Sequence, residues 1–487
     1  MNTTIRRGAI LSLLLIVALL VHFTVVQGFR EEEYAQDSRN SRTFMELKQV
    51  NRGQINAGGQ VLAESYRDEA TGFYQRAYPN MPYSFGPVVG YVSDQFGTSQ
   101  LESTFNAELN GDGKGSNSRF TRTGLEQDRV GNTVELSLDP NLQAFAYEQL
   151  SNNNYDGAIV ALRPSSGQVL AMASTPSFDP NSISSPATAA EAWGQLNNDP
   201  KQPLLNHAAQ DQLPPGSIFK IITTAAALRN GYTPDSPLTG DAQITLPGTN
   251  VPLTNYGGQA CAGGGQVTLT TAFSLSCNTA FVQMALNMGA DPLRKAAADF
   301  GIGERYELME LGVPNAAGSL GEIPGAAELG QSAIGQRDVT MTALQAAVMA
   351  GVVANEGKRM RPYVVNRVVT PDLRTVKETK PKQLAEALTP EEADTLTNLM
   401  FASERATWGY DGNGFASKTG TAEHAEGAAP HVWYVAFDPA KDVAVGVVVK
   451  NGGHSGAGAT GGQVSGPLGR AVLRAAPAAP ADGESAQ

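Results

Sequence analysis

"LPPGSIFKII" (213–222) places a hydroxyl, Ser217, and an amine, Lys220, one helical turn apart among Ile218, Phe219, Ile221 and Ile222, residues that belong in a core. Pro214, Pro215 and Gly216 predict an abrupt entry into a helix over 217–231. The first N–H groups of a helix are unpaired and sit at the positive end of its dipole, so Ser217 Oγ is expected beside free donors. Residues three apart share a helix face. A neutral Lys220 is then placed to take the Ser217 proton and make Oγ a nucleophile. S-x-x-K alone fits a plainer reading better: a helix cap and a snorkelling surface lysine.

Two further motifs shift that balance. "SLSCNTAF" (274–281) holds Ser276-Cys277-Asn278. S-x-N is weak by itself, and Ser38-Arg39-Asn40 and Ser151-Asn152-Asn153 also match it. Ser276 and Asn278, however, fall in an otherwise apolar helical pattern (269–289), where two polar side chains need partners. "SKTGTAE" (417–423) puts Lys418, Thr419, Gly420 and Thr421 on a predicted strand. Lys418 and Gly420 then face one side and Thr419 and Thr421 the other. The glycine lets a backbone or ligand come close; the plainer reading is an edge strand guarded by a lysine.

The surrounding chain predicts an α+β fold. "DPNLQAFAYEQLSNN" (139–153) has helical spacing, with Asp139 as N-cap and Pro140 at the first helical position. "GAIVALRPSSGQVLAMAS" (157–174) reads as a hairpin. Residues 414–422, 431–439 and 441–453 are strand-like, whereas 217–231, 269–289 and 340–357 are helical. Strands from both ends around a helical middle imply one antiparallel sheet flanked by helices, with a helical subdomain inserted. Residues 51–65 carry short β-like pieces between turn glycines. Residues 72–93, dense in Tyr, Pro and Gly, read as a loop-rich β segment and not as a helix. Residues 110–124 read as a polar glycine-rich loop.

The order S-x-x-K, S-x-N, K-T-G is stronger than any member alone. With it the chain resembles the class B penicillin-binding proteins, although the middle motif is S-C-N and not S-D-N. "RGQINAGGQVLAES" (52–65) is similar to the opening of their non-catalytic module, "GAIVALRPSSGQVLAMASTPSFDPN" (157–181) to the start of their transpeptidase domain, and "AIGQRDVTMTALQAA" (333–347) to its S-I-G-Q segment. The short N-terminal module is most similar to the small actinobacterial type. The resemblance covers residues 51 to about 474. It implies the fold shared with serine β-lactamases and a D,D-transpeptidase that cross-links D-Ala-D-Ala stem peptides through an acyl-enzyme. By that resemblance Ser217 is the nucleophile, Lys220 its base and Ser276 a proton relay. Asn278 binds the substrate amide, and Lys418, Gly420, Thr419 and Thr421 form the strand that holds the terminal carboxylate. The backbone N–H groups of Ser217 and Thr421 form the oxyanion hole. β-Lactams are expected to acylate Ser217. Nothing resembles a glycosyltransferase, so a cell-wall complex with a separate one is expected. Two rivals are a D,D-carboxypeptidase or β-lactamase, and a membrane scaffold or β-lactam sensor with an inactive site.

Bulk properties agree with an exported enzyme. The 487 residues are 41% hydrophobic and 17% charged, with a net charge of −12, which argues against a general nucleic-acid binder. "GAILSLLLIVALLVHFTVVQGF" (8–29) is long enough to span a bilayer. Arg6 and Arg7 before it, and Glu31, Glu32 and Glu33 after it, predict a cytoplasmic N-terminus and a single-pass anchor with the catalytic part outside. No A-x-A-like cleavage site follows it, and His22 reads as a tolerated polar residue. The expected division is 1–7 cytoplasmic, 8–29 membrane anchor, 30–130 non-catalytic module beginning with a stalk (30–50), 131–474 transpeptidase domain and 475–487 disordered tail. Cys261 and Cys277, outside the membrane and separated by a stretch with three consecutive glycines, are expected to form a disulfide; two buried thiols are the alternative. His424, His431 and His454, with Glu423 and Glu426, follow the K-T-G strand without metal-ligand spacing. They read as surface or loop residues, and neither metal nor cofactor is expected.

Overall fold

The computed structural model describes residues 3–29, 48–112, 129–250, 252–423 and 427–479. Most of the expected stalk (30–47), most of the polar loop (113–124), His424, Glu426 and the tail from 480 lie outside the described residues.

Five strands form an antiparallel sheet in the order Val169–Thr175, Gly157–Leu162, Val443–Val449, His431–Asp438, Ala416–Ala422. The two ends of the catalytic region thus supply one sheet, and residues 180–406 are inserted between its strands. Valine-rich strands buried on both faces explain the near-continuous apolar runs. Val443, Val445, Val447 and Val449 share one buried cluster with Leu468 and Val472 of the helix Ser465–Ala475 and with Leu142 and Ala146 of the helix Pro140–Ser151. Ala444 and Val448 join the larger core on the other face, with the helix Ala343–Ala354. Local signals set the helix starts. Asp139 accepts from the Leu142 N–H at 2.8 Å, and Thr342 and Gln345 form a capping box.

A second sheet is mixed. Its order is Thr375–Glu378, Val365–Val369, Thr133–Leu136, Ile55–Ala57, Gln60–Arg67, Tyr74–Ala77, with Ile55–Ala57 parallel to Thr133–Leu136. It joins strands from the N-terminal module to strands from beyond residue 131. The helix Thr3–Phe29 is, among the described residues, the one long and apolar enough to cross a membrane.

Three expectations need correction. Within 72–93 the chain forms the strand Tyr74–Ala77 and then the helix Pro82–Val89. Pro82 suits a first turn, and Phe85, Val88 and Val89 bury an i, i+3, i+4 face that the Tyr, Pro and Gly content obscures. The helix expected over 217–231 opens as a 3-10 turn, Gly216–Phe219, before the α-helix Lys220–Arg229. The pattern at 269–289 is two helices, Leu269–Ser274 and Asn278–Met288, broken where Ser276 takes φ +61°.

Candidate active site

Ser217 is fixed by what surrounds its 3-10 turn. Leu213 and Met341 exchange backbone hydrogen bonds at 3.0 and 2.9 Å, and Trp433 Nε1 donates to Pro214 O at 2.9 Å. The Gly216 N–H donates to Gly335 O at 2.9 Å. Gly335 has φ +72°, and a Cβ there would sit 2.2 Å from Gly216 O. A Cβ on Gly420 would meet Pro215 O at 2.7 Å. The turn therefore packs backbone to backbone against both the 333–336 segment and the K-T-G strand, and these contacts admit only glycine.

Behind Ser217 two lysines converge on one hydroxyl. Lys220 Nζ donates to Ser276 O at 2.8 Å, Ser276 Oγ at 3.2 Å and Asn278 Oδ1 at 2.7 Å. Lys418 Nζ donates to Ser276 Oγ and to Thr419 O, both at 3.0 Å. The left-handed backbone of Ser276 costs on the order of 1 kcal/mol and breaks the helix where this hydroxyl stands between the amines. Both lysines are buried, 0% and 1% exposed. Burial, reinforced by the charge of Lys418, pushes the Lys220 amine well below the ordinary lysine range. Burial alone takes Lys418 down to about 7. Each amine also lies over an aromatic face, Phe281 at 5.3 Å and Phe273 at 5.8 Å.

The site departs from the expected arrangement in one respect. No hydrogen bond joins Ser217 Oγ to Lys220 Nζ; the three acceptors on Ser276 and Asn278 already match the three donors of an ammonium group. Releasing a proton frees a lone pair on that amine.

Ser217, Ser276, Asn278, Thr419 and Thr421 line a cleft of about 1230 Å³. Lys220 and Lys418 stand behind this lining. Cys261 and Cys277 are joined in a disulfide, with Cα atoms 5.8 Å apart. It ties the break in the S-x-N segment to the cleft wall at 254–261. Asn278 Nδ2 donates to Thr254 O at 3.0 Å, and the Thr279 N–H to Asn255 Oδ1 at 3.1 Å. Asn255 and the Asn278–Lys220 bond carry no sequence signal, because both depend on a break inside an apparently continuous helix. Gly335 lies in the "AIGQ" segment but has no role visible from spacing. His431, expected at the surface or in a loop, is instead buried at the start of the strand His431–Asp438, with its Nδ1 accepting from the Asn451 N–H at 3.2 Å. His454 Nε2 lies 2.6 Å from Asn153 O. Among the described residues no three His, Cys, Asp or Glu side chains gather as metal ligands.

The arrangement is a half-buried hydroxyl at a cleft, backed by two desolvated amines and a second hydroxyl that accepts from both: the parts of a serine acyl-transfer site. Comparison with known proteins points the same way. The penicillin binding protein transpeptidase domain matches residues 157–474, and the penicillin binding protein A dimerisation domain matches 52–134. The chain is 43% identical to the peptidoglycan D,D-transpeptidase PbpA of Mycolicibacterium smegmatis, over 98% of this chain and 99% of that protein. It is 40% identical to the protein of the same name from Mycobacterium tuberculosis, with the same coverage. The penicillin G acyl-enzyme complex of penicillin-binding protein A from M. tuberculosis superposes with a TM-score of 0.82 at 40% identity, covering 88% of this chain and 99% of that one.

Proposed function

The chain belongs to the class B penicillin-binding proteins, and from that premise we propose that it is a peptidoglycan D,D-transpeptidase working through an acyl-enzyme on Ser217. Ser217 Oγ attacks the carbonyl of the penultimate D-Ala of a stem peptide. Neutral Lys220 receives the hydroxyl proton. The tetrahedral oxyanion forms against the backbone N–H groups of Ser217 and Thr421. As the C–N bond breaks, Ser276 passes a proton from the amines to the departing D-Ala nitrogen. An amine of a second stem peptide then attacks the ester, forms the cross-link and returns the proton to Ser217. Asn278 holds the substrate amide, and Thr419 and Thr421, backed by Lys418, hold the terminal carboxylate. β-Lactams, carrying a carboxylate and an acylating amide, enter the same cleft and remain on Ser217. The observation that carries this reading is the convergence of both lysine amines on Ser276 Oγ.

Residues 8–29 hold the protein in the cell membrane with its N-terminus in the cytoplasm and its cleft outside. Residues 30–130 form the non-catalytic module, and 131–474 the transpeptidase domain. Glycan polymerisation falls to a separate glycosyltransferase in the same cell-wall complex. A fluorescent penicillin should label the wild type and not Ser217→Ala. Equal labelling of both would remove Ser217 as the nucleophile.

A further inference from the structure

Among the described residues that line the cleft, two carry charge: Arg337 and Glu423. Arg337 is unusual in its backbone, at φ +65°, a region that glycine enters freely and other residues enter at a cost. Such a cost at the wall of a cleft points to a use for the side chain. The arginine follows Gly335 and Gln336, and Gly335 O accepts the N–H of Gly216. The guanidinium thus springs from the segment that backs the nucleophile's turn.

Its present partners leave capacity. Nη1 donates to Glu322 O at 2.6 Å, and Nη2 lies 3.2 Å from an Asp338 carboxylate whose side chain is 57% exposed. A guanidinium has five N–H donors, and an exposed ion pair exchanges with little penalty. The side chain is itself 30% exposed. Lys418 does not compete for the same anion, because it is buried against Ser276 Oγ and Thr419 O. Arginine alone of the cations here stays charged at every working pH and offers the planar fork that fits a carboxylate.

We propose that Arg337 binds a carboxylate of the donor peptide on the amino-terminal side of the scissile D-Ala-D-Ala bond, and so makes the enzyme selective for acidic stem peptides. This rests on the transpeptidase reading and deepens it. The K-T-G strand takes the terminal carboxylate, and Arg337 takes a second anion that lies further along the cleft. It acts as a specificity residue and touches no reacting atom.

The test uses the full-length protein in detergent with two donor peptides ending in D-Ala-D-Ala. They are identical except for a carboxylate or a carboxamide on the side chain of the preceding residue. D-Ala release gives kcat and KM, and benzylpenicillin acylation reports Ser217 independently. Wild type should favour the carboxylate peptide. Arg337→Gln should lower kcat/KM for that peptide by roughly ten- to a hundredfold, mainly through KM, with the carboxamide peptide and benzylpenicillin changed by less than about threefold. Arg337→Lys should recover part of the loss. Equal losses on both peptides, or none on either, would overturn the proposal. So would an equal loss of penicillin acylation, which would assign Arg337 to the terminal carboxylate or to support of the Ser217 turn. Failure of wild type to react with penicillin would instead count against the transpeptidase reading itself.

Discussion

Asn278 Oδ1 accepts a hydrogen bond from Lys220 Nζ at 2.7 Å, so the S-x-N asparagine contacts the S-x-x-K lysine as well as lining the cleft. A neutral amide there leaves the lysine depressed. A carboxylate would favour the ammonium form. Asn278→Asp should therefore raise the Lys220 pKa and move the rising limb of the acylation profile to higher pH. The measurement is the second-order rate of fluorescent penicillin labelling from pH 5 to 10. Wild type should reach its plateau well below the pH of about 10.4 at which an ordinary lysine titrates. A wild-type rate still climbing between pH 9 and 10, or an unshifted Asn278→Asp profile, would count against Lys220 as base.

Lys418 carries a stability signature of the same burial. Its folded value is about 7, against about 10.4 in an unfolded chain. Between these values the folded protein has released a proton that the unfolded chain still holds, so unfolding takes up a proton. Stability then rises with pH across the window, at a slope approaching about 1.4 kcal/mol per unit. Chemical denaturation at pH 7, 8 and 9 should show wild type gaining more than Lys418→Met. Parallel slopes would mean that Lys418 is not desolvated in the folded state.

The Cys261–Cys277 bond joins the cleft wall to the residue between Ser276 and Asn278. A bridge closing a loop of this size stabilises by about 3 kcal/mol on the chain-entropy model. Its position adds a second role. Reduction should let the 254–262 wall drift and loosen Ser276 and Asn278, slowing penicillin acylation several-fold while the protein stays folded. The pair Cys261→Ser and Cys277→Ser should behave like the reduced enzyme. Acylation unchanged by reductant would leave the bond a stabiliser only.

Part of this site is legible in the amino-acid sequence. Ser276 and Asn278 stand out because polar groups inside an apolar run demand partners, and Ser217, Lys220 and Lys418 because S-x-x-K, S-x-N and K-T-G follow one another in order. The sheet is legible because valine-rich runs admit few alternatives to buried strands. The Lys220–Asn278 bond is hidden, because it requires a left-handed Ser276 in a run whose spacing reads as one helix. Arg337 is hidden for a related reason, since spacing carries no sign of its positive φ. The helix Pro82–Val89 escapes notice because its turn-forming residues outweigh a short apolar face. In each case a tertiary contact overrides the local pattern.

The K-T-G strand is anchored from behind by Glu404, a fully buried carboxylate. It accepts from Arg470 Nε at 2.7 Å, Tyr434 Oη at 3.0 Å and Asn413 Nδ2 at 3.0 Å, and also from Ser417 Oγ, one residue before Lys418. Arg470 is itself 2% exposed. Removing one partner of a buried pair leaves an uncompensated charge, at a cost of about 3–5 kcal/mol. Arg470→Met should lower the urea midpoint accordingly. The double variant Arg470→Met, Glu404→Gln removes the stranded charge and should recover much of the loss. Because Ser417 leads into Lys418, the single variant should also acylate more slowly than its folded fraction accounts for. A double variant no more stable than the single one would show that packing of the Arg470 side chain, and not its charge, holds this strand in place.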